Sequence, residues 1–236
     1  MDMDLSQREW PLVVSFSGLD GSGKTTQIET LRQVIAQQGL SDTLITFWDD
    51  VVVAKRYREG FVHKVFGSEQ GIGEPGHPVE RRDKNVKAGY LTVVRHLLYL
   101  ADAVHLRIVL SRARNSGAHV IVTDRYLFDE LANLPLENRF SALYARLLAR
   151  IAPRPHLAFL LDADPELARA RKPEYPIDFM RQSRRSYFRL SHLLGNITIV
   201  PPLALEDAKS VVLACFQQVR EQCQKESSFA GVAPAA

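Results

Sequence analysis

The chain has 236 residues, enough for one α/β domain with a large core. Charged residues at 24% and hydrophobic residues at 46% are ordinary for a globular protein, and a net charge of +3 is too mild to argue for a nucleic-acid partner. No apolar run reaches the ~18 residues of a membrane span, and the start MDMDLSQREW lacks the basic and apolar regions of a signal peptide, so a cytoplasmic protein is expected.

In chain order, the first expected strand is 12–17, within PLVVSFSG, and GLDGSGKTT follows it at once. Gly18 and Gly23 flank four residues and Lys24-Thr25 come next, which satisfies G-x-x-x-x-G-K-[ST]. A loop that wraps a phosphate must turn sharply and point successive N–H groups inward, and glycine permits both. Gly18, Gly21, Ser22, Gly23, Lys24, Thr25 and Thr26 are therefore the expected nucleotide-phosphate cradle. Lys24 adds a point charge, and the Thr25 hydroxyl suits Mg²⁺, a hard cation that prefers oxygen. A helix expected over 24–38 would add its positive end. An ordinary glycine-rich turn is the plainer reading, and the strand–loop–helix context argues against it.

A second strand is expected at 43–48, TLITFW. Residues 49–85 are rich in charge, glycine and proline, and so long an irregular segment is expected to carry function or to move. A long helix follows, over about 86–115. Its stretch 90–110 is apolar nearly all round and so is expected to be buried. Arg95, Tyr99 and Asp102 share one face of it. That face either lines a ligand cavity or carries an internal Arg95–Asp102 ion pair.

HVIVTDRY gives a strand at 119–124 that ends on Asp124, where ligands of open α/β sheets gather. Asp124 is expected to hold Mg²⁺ through water, and Arg125 to grip a phosphate; a surface Asp–Arg pair is the alternative. Then come a helix at 138–151, a strand at 156–162, helices at 165–171 and 176–193, a strand at 197–200 and a helix at 206–224. The stretch 165–190 holds seven basic residues against three acidic ones. This is either a solvated basic face or a mobile lid that brings arginines onto a migrating phosphoryl group. Pro173 and Pro176 break the helix where such a lid would bend.

Strands alternating with helices predict a three-layer α/β fold of the P-loop NTPase type, with a five-stranded parallel sheet and helices on both faces. One domain is expected over 1–226, with the lid at about 169–178 and a disordered tail at 227–236. Cys215 and Cys223 lie eight residues apart on one expected helix, about 12 Å and beyond disulfide reach, which fits a reducing compartment.

Five segments together resemble thymidylate kinase and its relatives among nucleoside monophosphate kinases. SFSGLDGSGKTTQ is similar to that family's phosphate loop, LLYLADAVH to its aromatic–AADRAQH helix and HVIVTDRY to its VIxDRY strand end. LDADPELARAR and IDFMRQSRRSYFRL are similar to its LDVxPExxLxR and LDFFxRVRxxY segments. The resemblance covers roughly 12–222 and implies ATP with Mg²⁺ at the loop and a nucleoside monophosphate acceptor. It implies that Asp20 sits near the acceptor phosphate and sugar, that Tyr99 stacks on the acceptor base with Asp102 beside it, and that Arg125 contacts phosphate. Arg95, or an arginine from 56–82, is a candidate for further acceptor contacts. The family carries a helper arginine in the loop or in the lid; the loop position here is Ser22, which leaves Arg169 and Arg171 of the lid. The chain departs from the family where the FEG glutamate is Ser17, where the ADR arginine is Ala103, and at GEPG (73–76), a displaced echo of REPG. The lid's DRxE element is absent as well.

The expected activity is ATP-dependent phosphoryl transfer to a nucleoside monophosphate, dTMP to dTDP being the best single candidate. An acceptor with a free hydroxyl, such as a deoxynucleoside, is the alternative, with Asp49 or Asp50 as its base. A non-catalytic ATP-binding module is a third. The expected partner is a small nucleotide, with neither nucleic acid nor membrane, and a homodimer is among the assemblies the resemblance allows.

Overall fold

The computed structural model describes residues 11–55, Arg58 and 89–230. Strands β1 (Leu12–Gly18), β2 (Asp42–Thr46), β3 (Val120–Asp124), β4 (Leu157–Leu161) and β5 (Thr198–Val200) form one parallel sheet in the order β2-β3-β1-β4-β5. The helices are α1 (Lys24–Gln37), α2 (Gly89–Arg114), α3 (Leu127–Leu131), α4 (Arg139–Ile151), α5 (Pro165–Arg171), α6 (Ile177–Leu194) and α7 (Leu205–Ala230). The expected five-stranded, three-layer arrangement is present.

The period-2 alternation of side chains sorts each strand between two cores. On β1, Leu12, Val14 and Phe16 pack with Ile28, Leu31 and Ile35 of α1 and with Val212 and Phe216 of α7. Val13 faces the other way, into the core shared with α2, α3, α4 and α6. In β3, Val120 and Val122 part from Ile121 in the same manner, and in β4 Phe159 parts from Leu160. A strand covered on both faces needs apolar residues at almost every position, which is why VVSF, VIV and LAFLL read as continuous runs.

β1 is the point where the strand order reverses, because the chain lays β3 and β2 on one side of it and β4 and β5 on the other. Its register puts Phe16 beside Asp124 and Gly18 beside Leu161. The carboxyl ends of β1, β3 and β4 thus open into one crevice, the usual ligand position of such sheets.

Four features differ from the sequence reading. β2 stops at Thr46, and Phe47–Val51 form a π-helical turn that buries Phe47 and Val51. The Asp50 carboxylate accepts the Thr46 N–H at 2.7 Å and closes that turn. The short helix α3 spans five residues, too few for a period to show in sequence. The last helix runs to Ala230, past its expected end at 224. The expectation that 90–110 is buried all round is corrected. α2 buries Tyr99, Ala103, Leu106 and Leu110, while Val93, Leu97, Val104 and Ile108 on its opposite face are exposed. Periodicity shows that both faces are apolar but cannot show whether the chain supplies a second layer. GEPG at 73–76, most of 49–85 and the tail beyond Ala230 lie outside the described residues.

Helix α5 rests directly on the phosphate loop. A Cβ on Gly21 would lie 2.2 Å from the Ala168 carbonyl oxygen, and Gly21 has φ +82°. Gly21→Ala therefore combines a backbone clash with a left-handed conformation and should destabilise the protein by at least about 1–3 kcal/mol. Denaturant titration checks this; an unchanged midpoint would mean that loop and helix do not meet.

Candidate active site

The loop after β1 owes its path to three glycines with positive φ: Gly18 (141°), Gly21 (82°) and Gly23 (89°). Gly23 is the N-cap of α1 and no side chain caps that helix, so its leading N–H groups are left for an anion. The Ser22 hydroxyl is buried without a hydrogen-bond partner. Lys24 is buried rather than exposed on the loop, and its Nζ donates to the carbonyls of Gly18 (3.0 Å) and Leu19 (2.7 Å). Burial, helped by the nearby Arg125 charge, lowers the Lys24 pKa to about 8, against the opposing pull of Asp20, Asp129 and Asp124. Uncapped amides, an orphaned hydroxyl and a buried cation together fit a phosphate group.

Thr25 is exposed in the first turn of α1, and Asp124 is half-buried at the end of β3. Thr26 follows Thr25 in the same turn, and its carbonyl accepts the Thr30 hydroxyl. Among the described residues no cluster of three His, Cys, Asp or Glu side chains could hold a metal by itself.

Arg125 follows Asp124 with φ +66°, one of two non-glycine residues among those described that have positive φ. Such a conformation costs about 1–3 kcal/mol and persists only where its surroundings over-determine it. They do so here. The Arg125 N–H donates to the Phe16 carbonyl at 2.9 Å, and the guanidinium is paired with Asp20 of the loop and with Asp129 of α3, the latter at 3.0 Å. Burial opposes its charge, but the two carboxylates outweigh burial and raise its pKa above the ordinary arginine value. Asp20 and Arg125, assigned from the resemblance to one acceptor site, are thus in contact.

Of the α2 residues expected at the acceptor, Tyr99 and Asp102 are buried and Arg95 is half-buried. Tyr99 is 5% exposed and is hydrogen-bonded to Glu130; burial, with the Glu130 charge, raises the pKa of its hydroxyl. Asp102 is fully buried and accepts the Val53 N–H and an Arg58 Nη2–H, both at 2.8 Å. Burial raises its pKa against those two donors. The ion pair on this face is therefore Arg58–Asp102 rather than Arg95–Asp102, while Arg95 lies within electrostatic reach of Tyr99. Ala103, where the resembling family has arginine, is fully buried.

The basic segment divides in two. Arg184 grips Asp162 through two bonds of 2.6 and 2.7 Å, Arg181 pairs with Glu166, and Arg189 pairs with Glu137. These three brace α6 against its neighbours. Arg169 and Arg171 belong instead to α5, where Arg169 donates to the Tyr175 carbonyl at 3.0 Å and Arg171 to the Gly21 carbonyl at 3.2 Å. Of the two arginines expected to act from a lid, Arg171 is the one that meets the phosphate loop.

Sequence reasoning missed Asp129, Glu130 and Tyr187, and placed Arg58 only within a range of candidate arginines at 56–82. The first stands four residues after Arg125 in DRYLFD, a helical pairing distance that was available as a signal. Tyr187 and Arg58 arrive from distant elements, and no spacing announces them.

No family model matches the chain. It is 29% identical over 191 residues to a thymidylate kinase of Bifidobacterium longum subsp. infantis, covering 76% of this chain and 74% of that protein. In structure it is similar to thymidylate kinase from Candida albicans (TM-score 0.58, 18% identity, 90% of this chain and 92% of that one). It is also similar to thymidylate kinase from Ehrlichia chaffeensis (TM-score 0.56, 14% identity, 88% and 98%). The chain is thymidylate kinase-like in sequence and in fold.

Lys24 supplies a pH test. Its folded pKa near 8 means that the free protein carries the charge below pH 8 and loses it above. ATP binding above that point must take up a proton, so affinity should fall by up to about tenfold per pH unit. Calorimetry between pH 7 and 9.5 checks this, and a flat profile would assign the phosphate charge to another residue.

Proposed function

We propose that this thymidylate kinase-like chain is a nucleoside monophosphate kinase that transfers the γ-phosphoryl group of ATP to dTMP, giving dTDP. The reading is carried by the meeting of Arg171 with Gly21: a lid arginine stands at the loop whose own arginine position is Ser22. Phosphoryl transfer asks the protein for position and positive charge rather than covalent chemistry. In this reading the loop amides and Lys24 hold the donor phosphates, Arg171 neutralises charge on the migrating group, and Arg125 and Asp20 hold the acceptor end. Tyr99 and Asp102 form the wall toward the base, with Arg95 near it. Thr25 and Asp124 would hold Mg²⁺, which supplies charge neutralisation between the donor phosphates.

A phosphate acceptor is already anionic and needs no base. A hydroxyl acceptor would need one, and both candidates are engaged elsewhere, Asp49 with Lys55 and Asp50 with the Thr46 N–H. This favours the monophosphate. The exposed apolar face of α2, joined by Phe140, Leu143 and Leu147 of α4, suits a homodimer contact. No helix among the described residues is long and apolar enough to cross a membrane, and Cys215 and Cys223 form no disulfide, which suits a cytoplasmic setting.

γ-Labelled ATP offered with a panel of nucleosides and monophosphates tests the reading directly. Label is expected in dTDP; label on nucleosides alone would favour the hydroxyl acceptor, and none at all the binding module. Arg171→Ala should lower kcat by about 10²–10³-fold with little change in ATP affinity, since the charge it meets develops in the transition state. Arg169→Ala, held within the lid, should cost less. Asp124→Asn keeps the side-chain shape and removes charge, so it should shift the Mg²⁺ requirement upward; an unchanged Mg²⁺ titration would move the metal role elsewhere.

A further inference from the structure

We propose that Asp129 is a positioning residue for this reaction: its buried carboxylate, set against β1 by α3, aims the Arg125 guanidinium at the acceptor phosphate. The inference rests on the reading of Arg125 as an acceptor-phosphate contact.

Asp129 is 6% exposed, and its two oxygens take four donors. Oδ2 accepts the Ser17 hydroxyl at 2.7 Å and the Tyr126 N–H at 3.0 Å. Oδ1 accepts the Tyr187 hydroxyl at 2.7 Å and Arg125 Nη1–H at 3.0 Å. The three donors other than Arg125 come from β1, from the residue that opens α3 and from α6, so the carboxylate cannot turn without losing a bond. Asp20 holds the guanidinium through Nη2. A planar fork gripped at both terminal nitrogens has one orientation left, so the directions of its remaining N–H groups are fixed.

This arrangement accounts for Ser17. The family that the chain resembles has a glutamate at that position, on β1. Here Ser17 donates, and the carboxylate comes from the facing helix. The negative charge beneath the loop has crossed the contact between β1 and α3.

Asp129→Asn keeps the side-chain volume and removes the charge. A loosened Arg125 should lower kcat with dTMP by about 10²-fold, the scale of a ~1 Å misplacement, while the KM for ATP stays near the parent value. In an Arg125→Ala background the same substitution should cost nothing more, since the effect passes through Arg125. If Asp129→Asn lowers only the melting temperature and leaves kcat intact well below it, or if the two losses multiply, the inference is overturned. Arg125→Ala with parent kinetics would overturn the reading of Arg125 and this inference with it. An impaired Arg125→Ala beside a normal Asp129→Asn overturns the inference alone. Should Asp129→Asn not fold, ¹⁵N NMR of the Arg125 guanidinium in the unmodified protein still decides. Separate Nη resonances, from restricted rotation, are expected; a single averaged signal would rule out the two-sided grip.

Discussion

One guanidinium held between two carboxylates organises the carboxyl edge of this sheet. Arg125 joins Asp20 of the phosphate loop to Asp129 of α3, and Asp129 in turn ties in β1 through Ser17 and α6 through Tyr187. Taking such charges out of water costs several kcal/mol per ion, and only good geometry with full hydrogen bonding offsets it. Asp129 meets that condition, since each of its oxygens takes two donors. The left-handed backbone of Arg125 is a further cost that the pairing must cover. An arrangement this constrained serves orientation more than stability.

The second constraint is steric. The loop can lie under α5 only because Gly21 has no side chain, and Gly18 passes the Leu161 carbonyl for the same reason. These approaches bring Arg171 to the loop, while the pairs Arg184–Asp162 and Arg181–Glu166 hold α6 behind it. Lys24, buried with a lowered pKa, completes a crevice in which two cations and three aspartates, Asp20, Asp124 and Asp129, lie close together. A buried group of this kind, with its charge poised near neutrality, is typical of sites built for chemistry rather than for packing.

Much of this was legible beforehand, for reasons that particular residues make plain. Strands such as VVSF and LAFLL show themselves because a doubly covered parallel sheet needs unbroken apolar runs. The loop shows itself because its backbone needs glycine at Gly18, Gly21 and Gly23, and a turn that only glycine tolerates leaves a mark in the letters. What stayed hidden is instructive too. Ser17 reads as a lost carboxylate until Asp129 is found 2.7 Å from it. Asp102 reads as a partner for Arg95 until Arg58 appears beside it.

The sequence by itself determined the five strands, the long helices between them, the phosphate loop and the place of Asp124 at a strand end. Each of these depends on neighbours within a few residues, through periodicity, turn geometry or the end of a strand. Tertiary structure alone decided which arginine of α5 reaches the loop, which cation pairs with Asp102, and which carboxylate of α3 holds Arg125. Tyr187 and Asp129 are 58 residues apart in the chain. Their meeting depends on how α6 packs over α3, and no local pattern encodes a contact that only the closed core creates.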